Sequence, residues 1–498
     1  MSIGASALFR LLLAVASVRS AAASSSTYVH SLVNYADLFV DPTYVLSKNY
    51  SENTIFSQQT ILQWAEQSTD GGPWSVTTKQ YLAPSGDKHD YMSWAPYAWP
   101  DCTLAGNTTE LTPQQIWTAC DYVTRDGEFN PDNSLIPNSD DFDSMANAVL
   151  FNSLSWAING SDQYSSRVTT YIKTWFLDAD TYMNPNLNYG QMQRGPKGQN
   201  GTHTGVLDLK SMAKVVNGVL ILRNGKAPEW TADIDGQFVA WSNQYIGWLQ
   251  SSPIALKEKA STNNHGSYFA TQLSALQILV GDTAGAQGTL NEYFGGIFQG
   301  QIDKNGDQVC CFLYTWITQP LESSRTRPFH YRAYNLAAMI TNARLAKFVG
   351  IDAWTKTTNV STDIESALKF AMSTKPSSDD EAQELYPHVA AVASVYGDPN
   401  QSYVYYLSQN DGSRYVSDPT FFLNQPLSDR GYAALLNRTS TATAASPAST
   451  GKHSGGSGAS SSKSKSDSGA LASVSGLSVF SVFVCALIPS AATLSNLL

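Results

Sequence analysis

Hydrophobic positions recur with a helical period through most of the middle of the chain. In DSMANAVLFNSLSWAI (143–158), Met145, Val149, Leu150 and Leu154 fall on one helix face. VLDLKSMAKVVNGVLILRNG (206–225) predicts another helix, opened by Asp208 as a capping residue and closed by Asn224-Gly225. The same period predicts helices over 234–250, 264–280, 286–299, 331–349, 363–373 and 379–396. Strand-like alternation is sparse, and VYYLSQ (404–409) is its best short candidate. Helices recurring roughly every 30–40 residues without a repeated motif predict paired helices, and their irregular spacing argues against a solenoid. The expected fold class is therefore all-α, an (α/α) toroid of paired helices.

The pattern changes at both ends. Residues 1–23 carry a short apolar run, Leu8 to Val18, followed by small residues, and read as a secretory signal cut near Ala22 or Ala23. Residues 24–437 hold the helical body, and 438–470 form a Ser/Thr/Gly-rich stalk that cannot build a core. Residues 471–498 end in an apolar tail from Leu477 to Leu498. With small residues around Ser466–Ala470, this predicts a lipid (GPI) anchor signal. A C-terminal transmembrane helix is the alternative, but no Lys/Arg cluster follows the tail. The expected location is the outer cell surface, with membrane contact only through the anchor and the chain a monomer.

Seven Asn-x-Ser/Thr sequons, at Asn49, Asn107, Asn159, Asn200, Asn359, Asn400 and Asn437, fit a secreted surface. Of five cysteines, Cys485 lies in the tail. Cys102–Cys120 is a plausible local bridge, and Cys310 and Cys311 pair with each other or with the first two. No histidine stands near either cysteine pair at ligand spacing, so no metal and no cofactor are expected. A net charge of −10 excludes a broad nucleic-acid surface and requires any acidic partner to be held by local cations.

The segments between the helices are dense in aromatic and polar residues: SWAPYAWPDC (93–102), YVTRDGEFNPD (122–132), TYMNPNLNYGQ (181–191), STNNHGSYF (261–269) and SSRTRPFHYRAYNL (323–336). Rings beside Asn, Gln and Arg suit a carbohydrate groove, with faces to stack on sugars and donors for hydroxyls. Trp94, Tyr97 and Trp99 serve equally well as core, although Pro96, Pro100 and Asp101 favour a shaped loop. The Asn263-Asn264-His265 run reads either as a helix cap or as a site for negative charge.

Taken in order, these loops resemble the alginate lyase superfamily of polysaccharide lyases. The matching pieces are Ser93-x-x-x-Tyr97-x-Trp99-Pro100-Asp101, Arg125-Asp126-Gly127-x-x-Asn130-Pro131, Trp175-Phe176, Thr181-x-Met183-Asn184-Pro185-Asn186-Leu187 with Gln191, Asn263-Asn264-His265, and Arg325-Thr326 with Tyr331 and Asn335-Leu336. They span about residues 90–350. One departure is VCCFLYTWITQ (309–319), which separates Asn305-Gly306-Asp307-Gln308 from Pro320-Leu321-Glu322 and could reshape one groove wall. DKNGDQ (303–308) lacks the bidentate Glu of a calcium loop and reads as a turn.

The resemblance implies an (α/α) toroid and cleavage of a β-1,4-linked polyuronate by β-elimination, with alginate first and glucuronan second. Tyr331 would take the C5 proton and return it to the leaving O4. Asn264, His265 and Arg325 would neutralise the uronate carboxylate, a task akin to that of an oxyanion hole. Tyr97, Trp99, Arg125, Asn186, Gln191 and Arg327 would bind the acidic polysaccharide. A tyrosine titrates near 10, so a cation is expected to lower that value, with Arg325 and Arg327 the candidates. Tyr334 competes with Tyr331 for the role, and His330 is expected to be structural. Two other function classes stay open. One is a glycoside hydrolase, for which Asp140, Asp141 and Asp143 would have to be more than helix-start acids; the other is a non-catalytic wall protein that binds glycan.

Overall fold

The structure is a computed structural model that describes residues 39–105, 111–308, 322–411 and 415–424, all within one compact unit inside residues 1–445. The expected signal, stalk and apolar tail lie outside these residues, as do Cys310, Cys311, the 309–319 insert and the sequons at Asn107 and Asn437.

Helices of eight residues or more run in the order α1 Ile55–Gln67, α2 Asn138–Asn159, α3 Asp162–Ile172, α4 Met212–Gly225, α5 Ala232–Ser251, α6 Asn264–Leu279, α7 Thr283–Gly295, α8 Pro328–Phe348, α9 Ile364–Ser373, α10 Tyr386–Tyr396 and α11 Ser402–Asn410. Neighbours in sequence pack on each other, α2 on α3, α6 on α7 and α8 on α9, and α2–α4 and α6–α8 contacts join successive pairs. This is the all-α, paired-helix toroid that the apolar period predicts. Met145, Val149, Leu150 and Leu154 are all buried on α2, as their spacing requires. Every residue of α6 is buried, which makes it an inner helix covered on all sides. Among the described residues, no helix is long and apolar enough to cross a membrane.

Three elements differ from the sequence expectation. VYYLSQ is part of α11 and not a strand. Tyr403, Val404 and Leu407 bury one helical face, and the Asp398 carboxylate accepts from the first-turn amides of Tyr403 and Val404 at 3.3 and 2.9 Å. The 379–396 helix is split into Asp379–Gln383 and α10. Pro387 lacks an N–H and fits only a first turn, so a new helix starts there. Asp208 caps nothing: residues His203–Leu209 form a 3-10 segment and α4 begins at Met212. The Asp208 carboxylate turns inward and accepts from Tyr91, Ser93 and the Gln191 side chain.

Short strands organise the loops. β1 (Met92–Trp94) pairs in parallel with β4 (Tyr189–Met192), and β2 (Ala98–Asp101) pairs antiparallel with β3 (Asp121–Thr124), matching Trp99 to Val123. The Cys102–Cys120 disulfide closes the end of the β2–β3 ladder, next to the Asp101–Asp121 pair. Asn49, Asn159, Asn200, Asn359 and Asn400 are exposed, as sugar acceptors must be.

Candidate active site

Tyr331 lies in the first turn of α8, where Pro328 sets the helix start and the Tyr331 amide donates to the Arg327 carbonyl at 3.1 Å. Arg325 precedes the helix and folds back on it. Its Nη2 donates to Tyr331 Oη at 2.6 Å, and its guanidinium carbon lies 3.7 Å from the Tyr331 ring centroid. The same Nη2 donates to Asp126 Oδ1 at 2.6 Å, with Nε 3.3 Å from Oδ2. Tyr97 Oη, carried by the turn before β2, stands 3.0 Å from Tyr331 Oη. Arg325 and Tyr97 thus meet at one phenol, with Asp126 bound behind Arg325.

The Asp126-Gly127 turn makes this contact possible. Gly127 has φ +80, and a Cβ there would sit 2.6 Å from Thr326 Oγ1, so only glycine lets the turn close on Thr326. Thr326 then donates from its hydroxyl to Asp126 at 3.2 Å.

The electrostatics correct one expectation. The Tyr331 phenol lies well above the ordinary tyrosine range: burial disfavours its anion, and the Tyr97 hydroxyl adds to that effect. Arg325 pulls the other way but is outweighed by burial and Tyr97, and Asp126 adds a smaller push in the same upward direction. Burial works against the Arg325 charge, yet its bonds to Asp126 and the Tyr331 field outweigh that and strengthen it. The second expected cation, Arg327, directs its guanidinium at Glu381 at 3.5 Å and Glu384 at 3.8 Å, and among the described residues it meets Tyr331 through its backbone carbonyl alone.

The other sequence-predicted site residues, Asn264 and His265, stand at the start of α6. Asn263 is its cap, with Oδ1 accepting from the His265 amide at 3.2 Å. The carboxylate of buried Glu322 occupies the next position, accepting from Asn264 N at 2.7 Å and Asn264 Nδ2 at 2.9 Å. Burial raises the Glu322 carboxyl above its usual range, partly offset by the Asn264 bonds. Asn263 thus caps the helix, and Asn264 holds a carboxylate that belongs to the protein itself, Glu322. Gly266 allows the tight entry, since a Cβ would meet the Ser261 carbonyl oxygen at 2.0 Å. His265 Nδ1 is 2.6 Å from Glu258 Oε1, and His203 Nδ1 is 2.6 Å from Glu258 Oε2.

Helices α6 and α8 are tied directly. Ser267 Oγ donates to Asn335 Oδ1 at 2.8 Å, and Tyr268 Oη donates to the Tyr334 carbonyl at 2.9 Å. Tyr334 packs on Tyr268 with centroids 4.6 Å apart and stacks on His330 at 5.9 Å, whereas Tyr331 meets Arg325 and Tyr97. His330 Nδ1 pairs with Glu384 Oε2 at 2.8 Å.

Other expected binders divide. Trp99 is partly buried, its Nε1 donates to the Glu128 carbonyl at 2.9 Å, and Arg125 lies 5.0 Å over its ring. Arg125 is exposed, with only a 3.7 Å pair to Glu128. Gln191 spends its amide on Asp208 at 2.9 Å, and Asn186 Oδ1 accepts from Asn188 N at 3.1 Å. Burial pushes the Asp208 carboxyl up to about 6. Among the described residues, the side chains of Asn186, Gln191 and Arg327 make no hydrogen bond to Tyr331. Trp94 is core, packed against Trp117 at 4.8 Å. Asp140 and Asp141 lie in the first turn of α2, and Asp143 binds Lys210 and Ser211. Among the described residues, no three His, Cys, Asp or Glu side chains group to hold a metal.

The sequence reading gave no role to Asp126, His203, Glu258 or Glu322. Asp126 and Glu322 do stand in the quoted motifs, where an acid close to an essential cation is a usable signal. His203 and Glu258 gave none, since nothing local links positions 55 residues apart.

A sequence profile described as alginate lyase matches residues 75–382. Among solved structures, an alginate lyase from Bacteroides ovatus is similar with a TM-score of 0.66 and 26% identity, over 77% of this chain and 97% of that one. An alginate lyase A1-III variant complexed with a tetrasaccharide is similar with a TM-score of 0.42 and 13% identity, over 76% of this chain and 97% of that one. No curated protein matches significantly in sequence.

Proposed function

Because this chain belongs to the alginate lyase family, and is thus a polysaccharide lyase, we propose that it cleaves a β-1,4-linked polyuronate by β-elimination at Tyr331. The observation that carries this is the contact of Arg325 Nη2 with Tyr331 Oη at 2.6 Å, which places a fixed cation on a phenol. The Tyr331 phenolate removes the C5 proton, the C5–H electron pair becomes the C4–C5 double bond, and the C4–O4 bond breaks. The new phenol then gives its proton to O4, so no water is consumed and the tyrosine is regenerated as phenolate.

Carbanion character at C5 is tolerable only if the adjacent carboxylate is neutralised. His265 is the donor assigned to that task, Asn264 would join it by releasing Glu322, which its side chain holds at 2.9 Å, and Arg325 supplies positive charge beside the phenol. Aromatic faces at Tyr97 and Trp99, with exposed Arg125, form a wall suited to an anionic sugar chain.

One tyrosine can serve both proton steps only where the C5 hydrogen and O4 lie on the same side, as in mannuronate and glucuronate. Polymannuronate within alginate is the first choice and glucuronan the second; they differ at C2, remote from these groups. The test is to offer the purified protein polymannuronate, polyguluronate, glucuronan and polygalacturonate and to follow the ultraviolet absorbance of the unsaturated product. Preferential cleavage of polyguluronate or polygalacturonate would sink the single-tyrosine mechanism. No unsaturated product from any polymer would favour a binding protein.

A further inference from the structure

We infer that Glu258 is a positioning residue, holding His265 in the tautomer and charge state that receive the substrate carboxylate. This deepens the reading of His265 given above and rests on it.

Glu258 lies in the short helix Pro253–Lys259 with no exposed surface, and each carboxylate oxygen meets one imidazole nitrogen. A fully buried carboxylate is tolerated only when paired and hydrogen-bonded. Burial would raise its pKa, but His265 and His203 together hold it below the usual carboxylate range, so Glu258 is an anion. An anionic carboxylate only accepts; both Nδ1 atoms must therefore carry hydrogen. For His265 that leaves Nε2, which has no hydrogen-bond partner among the described residues, to face its ligand.

The charge state follows. Neutral His265 would present a lone pair at Nε2, which repels a carboxylate; only the imidazolium donates there. An anion 2.6 Å from Nδ1 is what favours the imidazolium. The groups around it are His203 on the same carboxylate, Glu322 from the turn before α8, which adds negative charge, exposed Lys257, and Lys259, paired with Glu292 of α7 at 2.8 Å. Glu258 thus supplies the counter-charge against which His265 can donate from Nε2 to a substrate carboxylate.

The test compares wild type, Glu258→Gln and Glu258→Asp, each checked for folding by thermal melting. In Glu258→Gln, kcat/KM should fall about ten- to a hundredfold, mainly through KM, and the rise of KM with pH should begin at lower pH. Glu258→Asp, which keeps the charge, should recover part of both. An unchanged pH profile in Glu258→Gln, or equal loss in the two variants, overturns the proposal. Nitrogen-15 NMR of the histidine rings reads the same point without turnover: His265 should be the Nδ1–H tautomer in wild type and lose that preference in Glu258→Gln. If wild type cleaves no polyuronate, the functional reading fails while this signal still decides the role of Glu258. An Nε2–H tautomer in wild type overturns it.

Discussion

Asp126 and Arg325 stand 199 residues apart in sequence and 2.6 Å apart in space, and their pairing holds the cation that meets the Tyr331 phenol. Asp126 lends Arg325 a fixed position and, after burial and Tyr97, adds a smaller push of its own against the Tyr331 phenolate.

Asp126→Asn removes that push. The alkaline rise of kcat/KM, which reports the free enzyme's base, should move to lower pH, because the phenolate then no longer faces that negative charge. The maximal rate should fall about tenfold or more, since a charged hydrogen bond that orients Arg325 is lost. A lower rate with the rise unmoved would show that Asp126 only holds Arg325 in place.

Tyr331→Phe should abolish turnover and leave polymer binding nearly intact, because only the proton-carrying oxygen is removed. Tyr334→Phe should keep activity within a few fold, since Tyr334 is packed against Tyr268 and His330. Activity in the first variant and none in the second would move the role to Tyr334.

His265→Ala and Arg325→Ala should each lose roughly 10²–10³ in kcat, the usual loss for a donor that stabilises an oxyanion. EDTA should leave the wild type unaffected, because Arg325 supplies the charge a metal would. Loss of activity on chelation, restored by a divalent cation, would refute that assignment.

His388 gives a pH dependence of stability unrelated to the chemistry. Burial in α10 lowers its pKa to about 3, against about 6.5 when unfolded. Below pH 6.5 the unfolded chain takes up a proton that the folded chain refuses, so this contribution is complete above 6.5 and is lost as pH falls toward 3. The melting-temperature advantage of wild type over His388→Gln should shrink steadily between about pH 7 and pH 4; a constant difference would contradict it.

Anchoring is tested separately. Phosphatidylinositol-specific phospholipase should release the glycosylated protein from membranes, with the lipid at Ser466 or Ser468. Retention with the 471–498 tail still present by mass spectrometry would favour a transmembrane anchor.

The helices were legible in the sequence because a buried face leaves a local record: α2 buries Met145, Val149, Leu150 and Leu154, the residues its period marks. Where local signals compete, the reading failed. VYYLSQ is β-branched and aromatic enough for a strand, but a buried helical face and the Asp398 carboxylate decide otherwise. Strands β1 to β4 were not foreseen, being only three or four residues long, too short for a period to register. The motifs around Tyr97, Arg125, Asn264, Arg325 and Tyr331 could be ordered along the chain, and Tyr97, Arg325 and Tyr331 do meet. Only the tertiary structure decided what each group pairs with: Asp126 takes Arg325, Glu322 takes Asn264, and Glu258 takes both His203 and His265. A carboxylate's partner is set by a distance of a few ångströms between residues that lie anywhere from 7 to 199 positions apart. Periodicity cannot encode that distance; the packing of one helix pair against the next fixes it.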